Sequence, residues 1–527
     1  MPAGETNSED RYPFLLESER RLSESLVWQA QRDYFHRAGV EAWRTDTVPH
    51  YITNNPALAR AYAAAVFGFL RDCQPLDAGQ PLHIIELGAG SGRFGFLFLR
   101  ALLDLIDRSG FLRGSIRYVL SDFTESNLDF WRSHEALEAW FEEGILDLAL
   151  IDAACDKPIR LERSGETLTP GTLRNPVVVL ANYFFDSIPQ DAFTVKEGEL
   201  SECLISLFSD EAERNGQAAD LLEHLASSYS NRPVSAEYYP EREFNEILRE
   251  SARTLSDTTF LFPCAGLRTI RRLADLAGGR LFLLTADRGE VDRAVLEGRE
   301  QPSMLFHGSF SIEVDYHVIG EYFVKSGGQA LRLSHPHSRL AIWGGLLGQH
   351  PAGFNETRLA FHQAFEQMGP DDFYTLRLGV QKNYDSLDLA HLLSLVRLSG
   401  YDPRILGDCL PAVETQLERA SAEVKRETAR IVRCVWANYY HIGELRDLAF
   451  EFGALAYGAG DYQVSAELFR ESLRLYGEDP RTRWNLGLCH AAANRPEEAA
   501  DCFRKALTDG SGFVPSGALQ AKTEPLS

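Results

Sequence analysis

Residues His83–Arg93 read His-Ile-Ile-Glu-Leu-Gly-Ala-Gly-Ser-Gly-Arg, and no other stretch limits the possible folds as strongly. An apolar run ends in an acid, three glycines alternate, and a helical pattern follows at once. Alternating glycines allow backbone conformations that side chains resist, so main chain can come close to a ligand. The N-terminus of the following helix offers free N–H groups to a carboxylate or phosphate. A strand–turn–helix unit of this kind belongs to an α/β layer, not to an all-β or all-α core.

The rest of the first 365 residues fits that expectation. Residues 1–80 are expected to be mainly helical, with Pro56–Leu70 the clearest helix, Asn54-Asn55 before it as a cap and Pro56 in its first turn. Phe94–Ile106 is apolar except for a stripe of Arg93, Arg100, Asp104 and Asp107, the pattern of a helix covered by a sheet. Further strands are expected at Ile116–Asp122, Ile145–Asp152, Pro176–Ala181 and Arg280–Asp287. A hairpin is expected at Phe193–Val195 and Cys203–Phe208, an acidic helical insertion over about 209–255, and a helix at Gly266–Leu276. The alternation implies a mostly parallel, doubly wound sheet.

Strand signals fade from about residue 370. Phe452-Gly453 matches Leu486-Gly487, Gly460 matches Asn494, Phe469 matches Phe503 and Ser472-Leu473 matches Ala506-Leu507, each at an offset of 34 residues. That is the tetratricopeptide period. Two such units are too few for a solenoid core, so helices between 386 and 445 are expected to complete it. The polar tail from Gly510 is expected to be mobile.

Composition excludes several functions. The 76 acidic residues outnumber the 53 basic ones, a net charge of −23 that opposes broad nucleic-acid binding. Eight scattered cysteines without a Cys-x-x-Cys pair suit reduced thiols in a cytoplasmic setting better than a zinc site. The acidic, polar N-terminus is no signal peptide, and no run of 18 apolar residues predicts a membrane span. His335 and His337, without a nearby carboxylate in sequence, are expected in a surface loop and not at a metal.

A dinucleotide, S-adenosyl-L-methionine or no ligand at all can explain the glycine turn. A dinucleotide fingerprint needs a third glycine three positions after the second, and Gly88 and Gly90 are followed there by Arg93. Glycines at alternate positions, with Glu86 two residues ahead, have the methyltransferase form. Glu86, Gly88, Ala89, Gly90 and Gly92 are therefore the expected cofactor contacts. Asp122, ending the second strand, can accept hydrogen bonds from two ribose hydroxyls, or cap the helix after Thr124. Asp152, ending the third, can reach an adenine amine, or be a solvated strand end. The fourth strand runs into Ala181-Asn182-Tyr183-Phe184-Phe185-Asp186-Ser187-Ile188-Pro189, where an open α/β sheet places its ligand. Asn182 can accept from a substrate N–H, and Tyr183 or Phe185 can face a sulfonium. Asp186 can pair with a guanidinium or take its proton. Otherwise these aromatics are core and Asp186 caps a turn. Methyl transfer is an in-line displacement that proximity and orientation promote, so no nucleophile–base constellation is required.

These stretches resemble the MidA-type S-adenosyl-L-methionine-dependent methyltransferases, a family that includes the mitochondrial arginine methyltransferase assisting complex I assembly. Tyr51–Pro56, Glu86–Arg93, Ala181–Pro189, Leu283–Gly289 and Gly308–Tyr316 carry the likeness, over about 45–350. Ala181–Pro189 is similar to the family's Ala-Asn-Glu-Phe-Phe-Asp-Ala-Leu-Pro signature. Tyr183 replaces its glutamate, Arg288 a tyrosine, and Ser311 stands in a segment where the family has Asp-Ile-Thr. The resemblance implies a Rossmann-like methyltransferase with bound S-adenosyl-L-methionine. The expected organisation is a helical segment over 1–80, the methyltransferase domain over 81–365, an all-α tetratricopeptide-like domain over 371–509 and a tail over 510–527. The expected activity is methylation of a protein or peptide, with Asn182 and Asp186 catalytic, Tyr183 and Phe185 touching substrate, and the repeats aiding recognition. The alternatives are a small-molecule methyltransferase whose repeats mediate assembly, or an inactive scaffold.

Overall fold

In the computed structural model seven strands form the central sheet of the N-terminal part: β1 Leu82–Glu86, β2 Ile116–Asp122, β3 Leu146–Leu150, β4 Val177–Asn182, β5 Leu281–Asp287, β6 Gln329–Arg332 and β7 Ala341–Leu347. The structure describes residues 12–45, 48, 50–210, 221–335, 340–348, 353–367, 369–509, 513, 514, 518 and 519. The sheet order is β6-β7-β5-β4-β1-β2-β3. The five strands from β5 to β3 are parallel, and β7 and β6 add on antiparallel beside β5. Every residue of β1, β5 and β7 is buried, which explains why these strands read as unbroken apolar runs. From β1 the chain moves to one side through β2 and β3. It then returns to the other side through β4 and β5. The order therefore reverses between β1 and β4, and a crevice opens there beyond the strands' C-terminal ends. Glu86 and Asn182 flank that crevice.

A second sheet holds the order Phe14–Arg21, Glu199–Ser209, Asp191–Lys196, Asp257–Phe262, with Leu225–Pro233 also paired to Glu199–Ser209. The predicted hairpin spans Asp191–Lys196 and Glu199–Ser209, joined by Glu197 (φ 52°) and Gly198 (φ 82°). Two left-handed residues in succession match the twist of a two-residue hairpin.

Two expectations need correction. Residues 1–80 are not simply helical, because Phe14–Arg21 is a strand antiparallel to Glu199–Ser209. Phe14, Leu15 and Leu16 are all exposed, so no alternation marks the strand in sequence, and its partner is far along the chain. The insertion is not uniformly helical either. Leu225–Pro233 is a strand in unbroken register with Ser201–Ser209, and among the described residues of the insertion only Arg242–Thr254 forms a long helix. Residues 211–220 of that insertion lie outside the described residues.

The chain divides into two units, residues up to Asn54 with Leu58–Asp371, and Asn55–Ala57 with the residues from Asp372 on. In the second, helices span Leu389–Leu398, Pro403–Leu417, Ala422–Trp436, Leu448–Gly458, Tyr462–Tyr476, Pro480–Ala492 and Pro496–Asp509. Asp461 and Asp479 cap two of them by accepting from Val464 N and Thr482 N. The 34-residue offset has a physical basis. Gly460 (φ 83°) and Asn494 (φ 57°) are both left-handed at the turns between paired helices. Gly453 lies under the ring of Phe469, and Gly487 under that of Phe503. Apart from residues 513, 514, 518 and 519, the tail from Gly510 lies outside the described residues, as does His337. Among the described residues no helix is long and apolar enough to cross a membrane.

A Cβ at Gly487 would lie 2.5 Å from Phe503 Cε1, whereas one at Gly453 would lie 3.1 Å from Phe469. Overpacking of that kind costs about 1–3 kcal/mol, against a gain in helix propensity of about 1 kcal/mol from replacing glycine. Gly487→Ala is expected to destabilise the helical unit and Gly453→Ala to change it little. Chemical denaturation followed by far-ultraviolet circular dichroism measures the difference. Equal stability of the two variants would contradict this packing.

Candidate functional site

The turn after β1 is tied into the sheet at successive residues. Leu87 N donates to Leu180 O (2.8 Å), Ala89 N to Ser121 O (2.9 Å) and Gly90 N to Asp122 Oδ2 (3.1 Å). Gly88 (φ 61°), Gly90 (φ 55°) and Gly92 (φ 77°) are all left-handed, a path that residues with side chains seldom take. The helix Arg93–Ser109 follows and presses on the sheet at Gly95. A Cβ there would stand 2.6 Å from both Glu86 Oε2 and Leu120 Cδ2. Gly95 was not expected from sequence, although its spacing of three from Gly92 was the available signal.

Over the turn lies a cavity of about 210 Å³. Glu86, Gly88, Ala89, Gly90, Ser91 and Phe94 form its floor, and Asn182, Tyr183, Asp186 and Ser187 one wall. Phe35, Trp43, Val48, His50, Thr53 and Asn54 cover it, and Arg288, Leu305, Ser309 and Ser311 close the remainder. Trp43 stacks on Phe35 with ring centroids 5.8 Å apart, and its Cζ2 would be 2.7 Å from a Cβ on Gly90. Gly90 is thus glycine for two reasons, its backbone angle and the indole above it.

Burial governs the acids here. It pushes Glu86 from 4.5 to about 8, even though Tyr118 OH donates to its Oε2 at 2.6 Å. It also raises Asp122, against the bonds its Oδ1 accepts from Thr124 N and Oγ1, each 3.0 Å. Burial raises Asp186 to about 6, despite a bond from Ser187 Oγ (2.8 Å), and lifts Asp287 well above the carboxylate range. The second cause at Asp287 is the neighbouring charge of Asp186, to which it is hydrogen-bonded. Thr285 Oγ1 also donates to Asp287 Oδ2 (3.2 Å), and Tyr316 OH lies 3.4 Å from it. Asn182 Oδ1 accepts from Tyr62 OH (2.6 Å), leaving the buried Nδ2 without a partner.

The structure brings together Glu86, Gly88, Ala89, Gly90, Asn182, Tyr183 and Asp186 around one cavity. Gly92 stands behind it as the left-handed cap of the helix. Three further expected contacts do not line it either. Asp122 is buried beneath the turn, where its oxygens hold Gly90 and Thr124. Asp152 is held by both guanidinium nitrogens of Arg32 (3.0 and 2.8 Å), which overcome the upward push of burial and lower its pKa. Phe185 is fully buried and packs on Gly266, so it belongs to the core and the expected substrate contact is corrected. Tyr183, the other expected substrate contact, does line the cavity, on a left-handed backbone (φ 49°). Asn182 also differs from expectation, because its acceptor oxygen is taken by Tyr62 and its free group is a donor. The site residues missed from sequence were Phe35, Trp43, Tyr62, Arg288 and Asp287. The segments carrying the family resemblance were a signal for Arg288 and Asp287, and nothing local marked the others.

Residues 68–329 match the model of a family described as "Putative S-adenosyl-L-methionine-dependent methyltransferase". Residues 450–513 match a tetratricopeptide-repeat model. No curated protein matches the chain. Two solved structures from Burkholderia thailandensis are similar. One, described as a "COG1565 superfamily member and likely methyl transferase" and bound to S-adenosyl-homocysteine, is 16% identical over 61% of this chain and 74% of its own, with a TM-score of 0.38. The other, an uncharacterized protein of the same superfamily, is 14% identical over 66% of this chain and 90% of its own, with a TM-score of 0.39.

Glu86 sets a pH dependence of stability. Its pKa is about 8 in the folded protein and near 4.5 when exposed, so its neutral form stabilises the fold. That contribution is complete below about pH 4.5 and is lost as pH rises through about 8. Glu86→Gln keeps an acceptor for Tyr118 and carries no charge. It is expected to match the parent protein near pH 4.5 and to exceed it increasingly toward pH 8, by roughly 1 kcal/mol per unit. Urea denaturation across this range tests the expectation.

Proposed function

We propose that this S-adenosyl-L-methionine-dependent methyltransferase transfers its methyl group to a nitrogen of a protein or peptide, an arginine guanidinium being the acceptor that best suits Asp186. One observation carries the reading. Asp186 is a buried carboxyl on the wall of a cavity at the sheet's switch point, beside the glycine turn. Its chain neighbours resemble the MidA-type signature, whose family includes an arginine methyltransferase. We read the five parallel strands as a Rossmann-like methyltransferase sheet, and the tetratricopeptide-like helices as a concave surface that recognises the substrate.

The residues present fit the cofactor. Gly88 and Gly90 present left-handed backbone to the cavity, Glu86 offers a carboxylate, and the unpartnered Asn182 Nδ2 offers a donor. When bound, the cofactor supplies a methyl group on a sulfonium. Glu86 would hold its ammonium, the backbone from Gly88 to Gly92 its amino-acid end, and Asp152 its adenine, while Asp122 would keep the turn in place from beneath. The cavity's 210 Å³ is below the ~300 Å³ of a small ligand pocket, so binding requires the covering helix Leu26–Ala38 to give way. Arg32 on that helix would then release Asp152. The second reading, a small-molecule acceptor, is favoured by Arg288 in the cavity wall, which an acceptor bearing an anionic group can draw from its pair with Glu313 at 3.1 Å.

Incubation of the full chain with methyl-labelled cofactor and cell extract tests the proposal. Label in protein, released as methylated arginine on hydrolysis, is expected; label confined to metabolites would select the second reading, and none would leave the scaffold alternative. A seated ammonium favours the ionised form of Glu86. Below pH 8 binding is therefore expected to release close to one proton, and affinity to rise as pH approaches 8. Calorimetry in buffers of different ionisation enthalpy counts that proton, and Glu86→Gln is expected to lose it along with about tenfold in affinity. Arg32→Ala is expected to accelerate cofactor binding in stopped-flow fluorescence by freeing Asp152.

A further inference from the structure

The Asp186–Asp287 pair is unusual in its setting. Asp287 is fully buried and Asp186 nearly so, and they end adjacent segments, Asp287 at the last residue of β5 and Asp186 just past β4. Two carboxyls buried together at the ends of adjacent strands cannot both be ionised, so the pair holds one proton. Only Asp186 reaches the cavity. The donors around Asp287 are Thr285 Oγ1 and Tyr316 OH, which address its Oδ2, and the backbone N–H of Phe185; among the described residues its buried Oδ1 has no side-chain donor. The other ionisable groups facing the pair are Arg288 next in the chain, Tyr62 from the helix Pro56–Asp72 and Tyr316 from the helix Tyr316–Lys325. Glu86 lines the same cavity across from Asp186.

We infer that Asp287 is a positioning residue for proton removal: it holds the proton of the pair and donates it to one oxygen of Asp186, so that Asp186 turns an ionised oxygen to the acceptor nitrogen. This rests on methyl transfer to nitrogen as proposed above. As the nitrogen–carbon bond forms, the sulfur–carbon bond breaks and its electron pair stays on sulfur. The N–H electron pair remains on nitrogen, and the proton passes to Asp186. The pair then holds two protons and no charge, and returns one to water as product leaves. Asp186 ionises near pH 6, while burial and the charge of Asp186 lift Asp287 well above the ordinary carboxylate range, so the pair is singly charged, and competent, once Asp186 has ionised.

The test separates the pair from the cofactor. Infrared spectra of the full chain at pH 7.5, in a Glu86→Gln, Asp315→Asn background to remove the signals of those two raised acids, are expected to show a protonated carboxyl band. Asp287→Asn is expected to abolish it and Asp186→Asn to keep it. Persistence of the band in Asp287→Asn would overturn the inference. Methylguanidinium chloride serves as the acceptor probe, its binding measured by calorimetry between pH 5 and 8. The parent protein should bind it with an acid limb near pH 6. Asp287→Asn, which still donates to Asp186, should keep that limb. Asp287→Ala, which removes the donor, should move it up by about one pH unit or more. An unmoved limb in folded Asp287→Ala overturns the proposal. Failure of the parent protein to bind S-adenosyl-homocysteine would sink the methyltransferase reading and leave the infrared result standing.

Discussion

The approach of the helix Arg93–Ser109 to β1 and β2 is the contact on which the site depends. At Gly95 the helix backbone sits so near Glu86 and Leu120 that a single methyl group cannot be placed between them. That proximity seals the Glu86 carboxyl from water, and it aims the start of the helix over the crevice. The three left-handed glycines just before it make the sharp path possible. Hydrogen bonds from Leu87, Ala89 and Gly90 then tie that path to β4 and to the end of β2. The turn is consequently a fixed surface, a requirement for orienting a reactive methyl group.

Charge in this cavity is controlled by burial more than by ion pairing. Glu86, Asp122, Asp186 and Asp287 are all raised, with desolvation the largest cause at each. Asp152, only part-buried and gripped by Arg32, goes the other way. Acids kept neutral by their surroundings remain available to a cationic ligand, because an arriving positive charge restores their ionised form. The placement of Arg288 at the wall, with its side chain paired to Glu313 at 3.1 Å, adds one compensated cation to this otherwise acidic lining.

How much was legible depended on whether the signal was local. The buried strands β1, β2, β4 and β5 showed as apolar runs because they are covered on both faces, and the glycine spacing marked the turn between β1 and its helix. The strand Phe14–Arg21 escaped notice because both its faces meet solvent and its partner is remote. Leu225–Pro233 was hidden among polar residues for the same reason. In the signature Ala181–Pro189, Tyr183 and Phe185 were both expected contacts; Tyr183, on a left-handed backbone, lines the cavity, whereas Phe185 is buried in the core. Asp122 was correctly singled out as an acid at the end of β2, yet its bonds go to the turn itself.

From the sequence alone came the strand–turn–helix unit, the position of the glycines, the acids at strand ends and the 34-residue spacing of the helical repeats. These are set by neighbouring residues, through backbone angle, periodicity and turn geometry. Folding in three dimensions decided which acids share a proton, which are neutral, and which aromatic rings cover the turn. Asp186 and Asp287 are a hundred residues apart in sequence and meet only because β4 and β5 are adjacent strands. Desolvation, the quantity that sets their charge, is a property of everything packed around them and belongs to no single stretch of chain.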